Sequence, residues 1–232
     1  MRSAIAALVT AITLTFCGPT SPVAAQVPTK AHQHLHTLRQ QIDDVMPGFD
    51  RPHYFAGLIE HESCVTLTST RCWSPTSRLK TDREEGAGLG QLTRAFTGTG
   101  RVRFDALADA TRLDPVGLNE LRWSTVYQRP DLQMRVIVLM TRANWGRLQP
   151  LVPDPLPFAD AAYNGGLGGV LNDRRACAAR HGCDPDVWFG HVEGTCTKST
   201  RPIYGSRSAC DINRHHVRDV LINRMPKYRG LV

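Results

Sequence analysis

The sequence predicts a mainly α-helical single domain with little or no β structure and with disulfide-stapled loops. Three observations point there. Apolar residues recur three and four apart over most of the chain. Six cysteines remain once the N-terminal leader is set aside. A length of 232 residues with 41% apolar and 21% charged content suits one globular core. That composition excludes a mostly disordered chain, and neither a Gly-X-Y period nor sustained heptads appear. The long apolar run sits at the N-terminus alone, which excludes a multi-pass membrane protein. Lys and Arg number 28 against 21 Asp and Glu, a formal charge of +7. The surplus is spread without a nucleic-acid motif, so no nucleic-acid partner is expected.

Residues 1–25 read as a cleaved signal peptide. Arg2 supplies the positive start, Ala4 to Phe16 the apolar stretch, and Val23-Ala24-Ala25 the small-residue cleavage pattern before Gln26. The stretch is short for a bilayer span, so no stable membrane span is expected after cleavage. Lipidation at Cys17 is the alternative, opposed by the bulk of Phe16. The expected location is periplasmic or extracellular. An exported chain with six cysteines reads as three disulfides between sequence neighbours: Cys64–Cys72, Cys177–Cys183 and Cys196–Cys210. Each closure is worth about 2–3 kcal/mol in the chain-entropy model. Zinc is the rival, disfavoured because no pair has tight Cys-x-x-Cys spacing. No metal and no cofactor is expected.

Residues 26–50 form an N-terminal helix whose stripe is Leu35, Leu38, Ile42 and Val45, ended by Pro47-Gly48. The main body spans residues 51–232. Its first helix starts near Asp50 to Pro52 and runs through Phe55, Leu58 and Ile59 to Glu62. Cys64 to Cys72, rich in Thr, is a short hairpin or a stapled loop. Lys80 to Gly90 is charged and then glycine-rich, hence a surface loop. Asp105 to Arg112, Pro115 to Trp123 and Asp131 to Trp145 read as helices, the last with Leu132, Val136, Leu139, Met140 and Ala143 on one stripe. Four prolines from Pro150 to Pro157 make a connector. Helical pattern resumes at Phe158 to Tyr163, turns at Gly165 to Gly169 and continues to about Arg180. Cys183 to Ser208 is loop-rich, and Asp211 to Ile222 is a final helix.

Glu62 is the first candidate for chemistry. On a helix it extends the apolar stripe of Phe55, Leu58 and Ile59. A carboxylate there is costly unless protonated or partnered, the setting a general acid needs. Pairing with an arginine is the plain alternative. Glu60 points the other way on this reading and is solvated. Gly86 to Gln91 lacks the preceding strand and following lysine of a phosphate loop. Its glycines instead let the backbone approach a ligand, with Gln91 as a hydrogen-bonding side chain. Tyr163 suits bonding to a carboxylate or stacking on a sugar, while Asn164-Gly165 equally suits a helix end. His32, His34 and His36, like His215-His216, read as solvated rather than metal-binding. Asp82, Glu84 and Glu85 read as a solvated loop.

Three of these segments, in this order, resemble the soluble-type lytic transglycosylases. Glu62-Ser63 is similar to that family's Glu-Ser motif. Gly88-Leu89-Gly90-Gln91 is similar to its Gly-Leu-x-Gln motif, and Ala162-Tyr163-Asn164-Gly165-Gly166 to its Ala-Tyr-Asn-x-Gly motif. A fourth motif, Tyr-Val-x-x-Val, is matched imperfectly by His216 to Val220. The resemblance covers about Arg51 to Leu221. It implies a lysozyme-like α-helical fold of the goose-type kind and cleavage of the β-1,4 bond between N-acetylmuramic acid and N-acetylglucosamine, with a 1,6-anhydro end. Glu62 would be the acid and base, and Tyr163 would hydrogen-bond and orient it. Ser63, Gly88, Leu89, Gln91, Asn164, Gly165 and His216 would form the glycan site. Peptidoglycan strands would be the partner, with secretion or conjugation machinery as a localising one. Two other readings use the same residues. One is a hydrolytic muramidase with Asp82, Glu84 or Glu85 positioning water. The other is a non-catalytic glycan-binding scaffold.

Overall fold

The apolar spacing becomes seven α-helices in a computed structural model that describes residues 26–232. The leader assignment over residues 1–25, Cys17 included, lies outside the described residues. A short turn at Thr29–Gln33 leads into α1 (Leu35–Val45), which buries Leu35, Leu38, Ile42 and Val45. That stripe packs on α4 (Pro130–Leu148). Between them in sequence, α2 (His53–Ser63) is buried at every position from His53 to Glu60. A helix covered all round is a central one. Gly57 makes this close packing available: a Cβ there would lie 2.7 Å from the backbone nitrogen of Met225.

Asp105 caps α3 (Ala106–Leu113), its carboxylate accepting from the Ala108 N–H at 3.0 Å. Beyond the proline connector come α5 (Leu156–Gly165) and α6 (Leu167–Ala178), separated by Gly166 at φ +81°. A reciprocal Ser208–Asp211 capping box opens α7 (Ala209–Arg218). The chain then makes a π-helical turn at Asp219–Arg224 and a 3₁₀ turn at Met225–Tyr228, both against α2. Two apolar clusters result. One joins α1, α2, α4 and the Gly88–Leu92 loop, and the other joins α5, α6, Trp188 and Val217. The N-terminal helix is part of the first cluster.

The expectation of little or no β structure is corrected. Strands β1 (Arg78–Lys80), β2 (Glu84–Ala87), β3 (Leu92–Phe96) and β4 (Val102–Asp105) form an antiparallel sheet in sequence order. Its register pairs Arg78 with Ala87, Glu85 with Arg94 and Ala95 with Phe104. A smaller ribbon pairs β5 (Pro202–Tyr204) with β6 (Arg207–Ser208). These strands hold two to five residues, too few for a visible period of two, and β2 reads Glu-Glu-Gly-Ala, against β propensity. Pairing between chain neighbours forms them. The helix expected at Pro115 to Trp123 is absent and turns replace it. There the Asp114 carboxylate accepts the Gly117 N–H at 2.8 Å, a local bond that competes with helix. Cys64 to Cys72 is a stapled loop, and all three disulfides join sequence neighbours as expected. Among the described residues no helix is long and apolar enough to cross a membrane.

Candidate functional site

Glu62 lies in the last turn of α2, its side chain 17% exposed. Its Oε1 is 3.0 Å from Nε2 of His216 on α7. His216 is buried, and its Nδ1 is 3.0 Å from Oδ2 of Asp160 on α5. Asp160, also buried, accepts the Tyr54 hydroxyl on its other oxygen at 2.9 Å. A polar chain Tyr54–Asp160–His216–Glu62 thus runs from the core to the one member with exposed surface. Burial and the Asp160 carboxylate push the Tyr54 phenol well above its usual value. The partner of Glu62 is a histidine, not the arginine weighed as the plain alternative.

Tyr163 reaches the same place from α5. Its hydroxyl donates to the Gly90 carbonyl at 2.9 Å, so the expected hydrogen bond to Glu62 is corrected. Burial first, then the nearby Glu62 and Asp160 carboxylates, raise its phenol well above the usual value. Gly90 is required at this contact, because a Cβ would lie 2.7 Å from the Tyr163 hydroxyl and 2.6 Å from Ile137. Gly88 is left-handed at φ +71°, and a Cβ would fall 2.0 Å from Oε1 of Gln133. That oxygen accepts the Leu89 N–H at 2.8 Å, while the Gln133 amide donates to the carbonyls of Pro75 and Val126 at 3.0 and 2.6 Å. The motif segments at 62, 88–91 and 163 therefore converge.

Several expected glycan contacts are turned inward. The Ser63 hydroxyl donates to the Ile59 carbonyl at 2.7 Å and accepts the Trp73 N–H at 3.0 Å, with the residue 1% exposed. It holds the Cys64–Cys72 loop rather than a ligand. Leu89 is a core side chain. The Gln91 amide donates to Ser77 Oγ at 3.2 Å and to the Gly88 carbonyl at 3.0 Å, which stiffens the loop. Its Oε1 is buried without a protein partner. Asn164 is exposed and accepts from the Asn213 amide at 2.9 Å, and the Gly165 carbonyl accepts from Lys198 at 2.7 Å.

Glu60 is the clearest correction. It is fully buried, not solvated. Arg224 donates to its Oε1 at 3.0 Å, Lys227 pairs with the same oxygen, and Tyr228 donates to Oε2 at 2.5 Å. Burial and the Glu60 carboxylate push the Tyr228 phenol up. Glu85 is also not a loop residue: it is buried on β2 and pairs with Arg94 at 3.3 Å. The Arg94 guanidinium lies 4.7 Å from the Trp123 ring centroid. Glu84 accepts the Tyr204 hydroxyl, and Asp82 alone of that trio is exposed. Two surface depressions, about 380 Å³ beside Leu107 and Trp123 and about 590 Å³ beside Arg83 and Phe96, contain none of the motif residues.

Sequence reasoning missed Asp160 and Gln133. Both left a signal: a lone carboxylate inside Leu156–Ala162, and an amide between Leu132 and Met134 among the mostly apolar buried positions of α4. A polar residue in such a setting has a partner to find. No family model, no curated protein and no solved structure matches this chain.

Proposed function

We propose that the chain is a peptidoglycan lytic transglycosylase with a lysozyme-like fold, acting on glycan strands outside the cytoplasm. The observation that carries this reading is the convergence of Glu62, Tyr163 and the Gly88–Gln91 loop at one partly exposed carboxylate. Three disulfides suit an oxidising compartment. The basic surplus suits a substrate whose stem peptides carry carboxylates.

In the first half of the reaction, protonated Glu62 gives its proton to the glycosidic oxygen as the bond to muramic C1 breaks. The bond's electron pair leaves with that oxygen. In the second half, the Glu62 carboxylate takes the proton of the muramic C6 hydroxyl as that oxygen bonds to C1. Glu62 is reprotonated, the 1,6-anhydro ring closes and no water is consumed. One carboxylate serves both halves, whereas most glycosidases need two. Glu84 and Glu85 are each engaged by a partner, so the hydrolytic reading rests on exposed Asp82.

Mass spectrometry of products from purified sacculi tests it. Muropeptides ending in anhydro-muramic acid, each one water lighter than a lysozyme product, are expected. Reducing ends alone mean a hydrolase, and intact sacculi mean a scaffold. Residence near secretion or conjugation machinery is part of the proposal, tested by co-purification from envelopes.

A further inference from the structure

Glu62 has a partner chain of its own, and its chemistry goes beyond orientation. His216 faces a carboxylate oxygen at 3.0 Å from each ring nitrogen. A neutral imidazole offers one donor and one acceptor, whereas an imidazolium donates from both. Asp160 already receives the Tyr54 hydroxyl on one oxygen and the ring on the other, the pattern of an ionised carboxylate.

We propose that His216 acts in glycan cleavage as a fixed imidazolium: it donates to Glu62 Oε1, leaves Oε2 as the oxygen that carries the proton in both halves, and stabilises the carboxylate formed between them, with Asp160 as the counter-charge. This rests on the reading of Glu62 as the acid. His216, expected from the sequence as a solvated glycan contact, is instead buried with both ring nitrogens engaged, so it is a positioning residue that acts through Glu62.

The surrounding groups are consistent with a charged ring. From α2, His61 meets the ring edge-on at 4.4 Å between centroids, itself bonded to Asp219 at 2.7 Å. His215 on α7 lies 6.0 Å from His61, centroid to centroid. Tyr163 on α5 is spent on Gly90. Arg224 is held by Glu60 and Asp219. Burial alone lowers the imidazole, but Asp160 and Glu62 outweigh it, and the ring is pushed up to about 10.

Side-chain nitrogen NMR of the full mature chain reads the ring directly. Both His216 nitrogens should be protonated at neutral pH, with titration near pH 10. Asp160→Asn should return the ring to the ordinary histidine range. His216→Gln keeps a donor for Oε1 without the charge. Its upper limb of the activity–pH profile should move to higher pH by about 1–3 units, the usual effect of removing one adjacent opposite charge. Its kcat should fall about 10–100-fold with KM unchanged, below the full worth of an acid–base group. An unprotonated ring nitrogen in active wild-type enzyme overturns the role of His216 alone. So does His216→Gln with an unmoved limb. Wild-type protein that leaves sacculi intact overturns the function itself, and that assay precedes the variants.

Discussion

Glu60 and Glu62 share one turn of α2 and meet opposite environments. Glu62 keeps one edge in solvent beside His216, while Glu60 is enclosed by Arg224, Lys227 and Tyr228. Glu62→Gln is near-isosteric but cannot move a proton, so sacculus cleavage should fall about 10²–10⁴-fold while circular dichroism stays native. Glu60→Gln should instead leave Lys227 without its carboxylate and Arg224 with Asp219 alone, and cost about 1.5–3 kcal/mol in denaturant unfolding, the worth of hydrogen bonds to a charged group. A loss under about 1 kcal/mol would contradict the buried network, because that is the range of exposed pairs. Glu62 was legible in the sequence because its spacing continues a stripe. Glu60 was not, because the stripe argument assumes a wet opposite face, and α2 has none. The clue was the unbroken run Tyr54-Phe55-Ala56-Gly57-Leu58-Ile59, apolar on every side.

Helices carried strong signals and strands did not. The 3.6-residue period of α1 and α4 emerges as read, and the helix expected from Asp105 is α3, with Asp105 as its cap. Strands β1 to β4 escaped because pairing, rather than composition, specifies them. Gly57 is a test at this scale. Alanine fits α2 by propensity, yet its Cβ would meet the Met225 backbone at 2.7 Å, where nothing flexible can move aside. Gly57→Ala should destabilise by about 1–3 kcal/mol and loosen the C-terminal turns, read as faster amide exchange over Asp219–Tyr228. Tyr163→Phe removes the tie between α5 and the glycine loop. It should cost about 0.5–1.5 kcal/mol and reduce cleavage less than Glu62→Gln, since the acid remains.

Across the whole molecule, titratable groups bracket the stable range. His216 has a folded value near 10 against an ordinary 6.5, so its contribution is full below about pH 6.5 and is lost as pH rises through about 10. Burial would raise Asp219, but His61, Arg224 and Asn223 hold it well below the carboxylate range. Its contribution is present above about pH 4 and fades on acidification. Urea midpoints measured across pH should therefore fall on both sides of neutrality. His216→Gln should flatten the alkaline side alone.

On the proposed mechanism the bond breaks without water, by internal attack directed by Glu62. Digestion of sacculi in heavy-oxygen water reads this directly. The wild-type protein should give anhydro-muramic ends that carry no solvent oxygen, and Glu62→Gln should give about 10²–10⁴-fold less product. Reducing ends that carry one heavy oxygen per cleavage would contradict it.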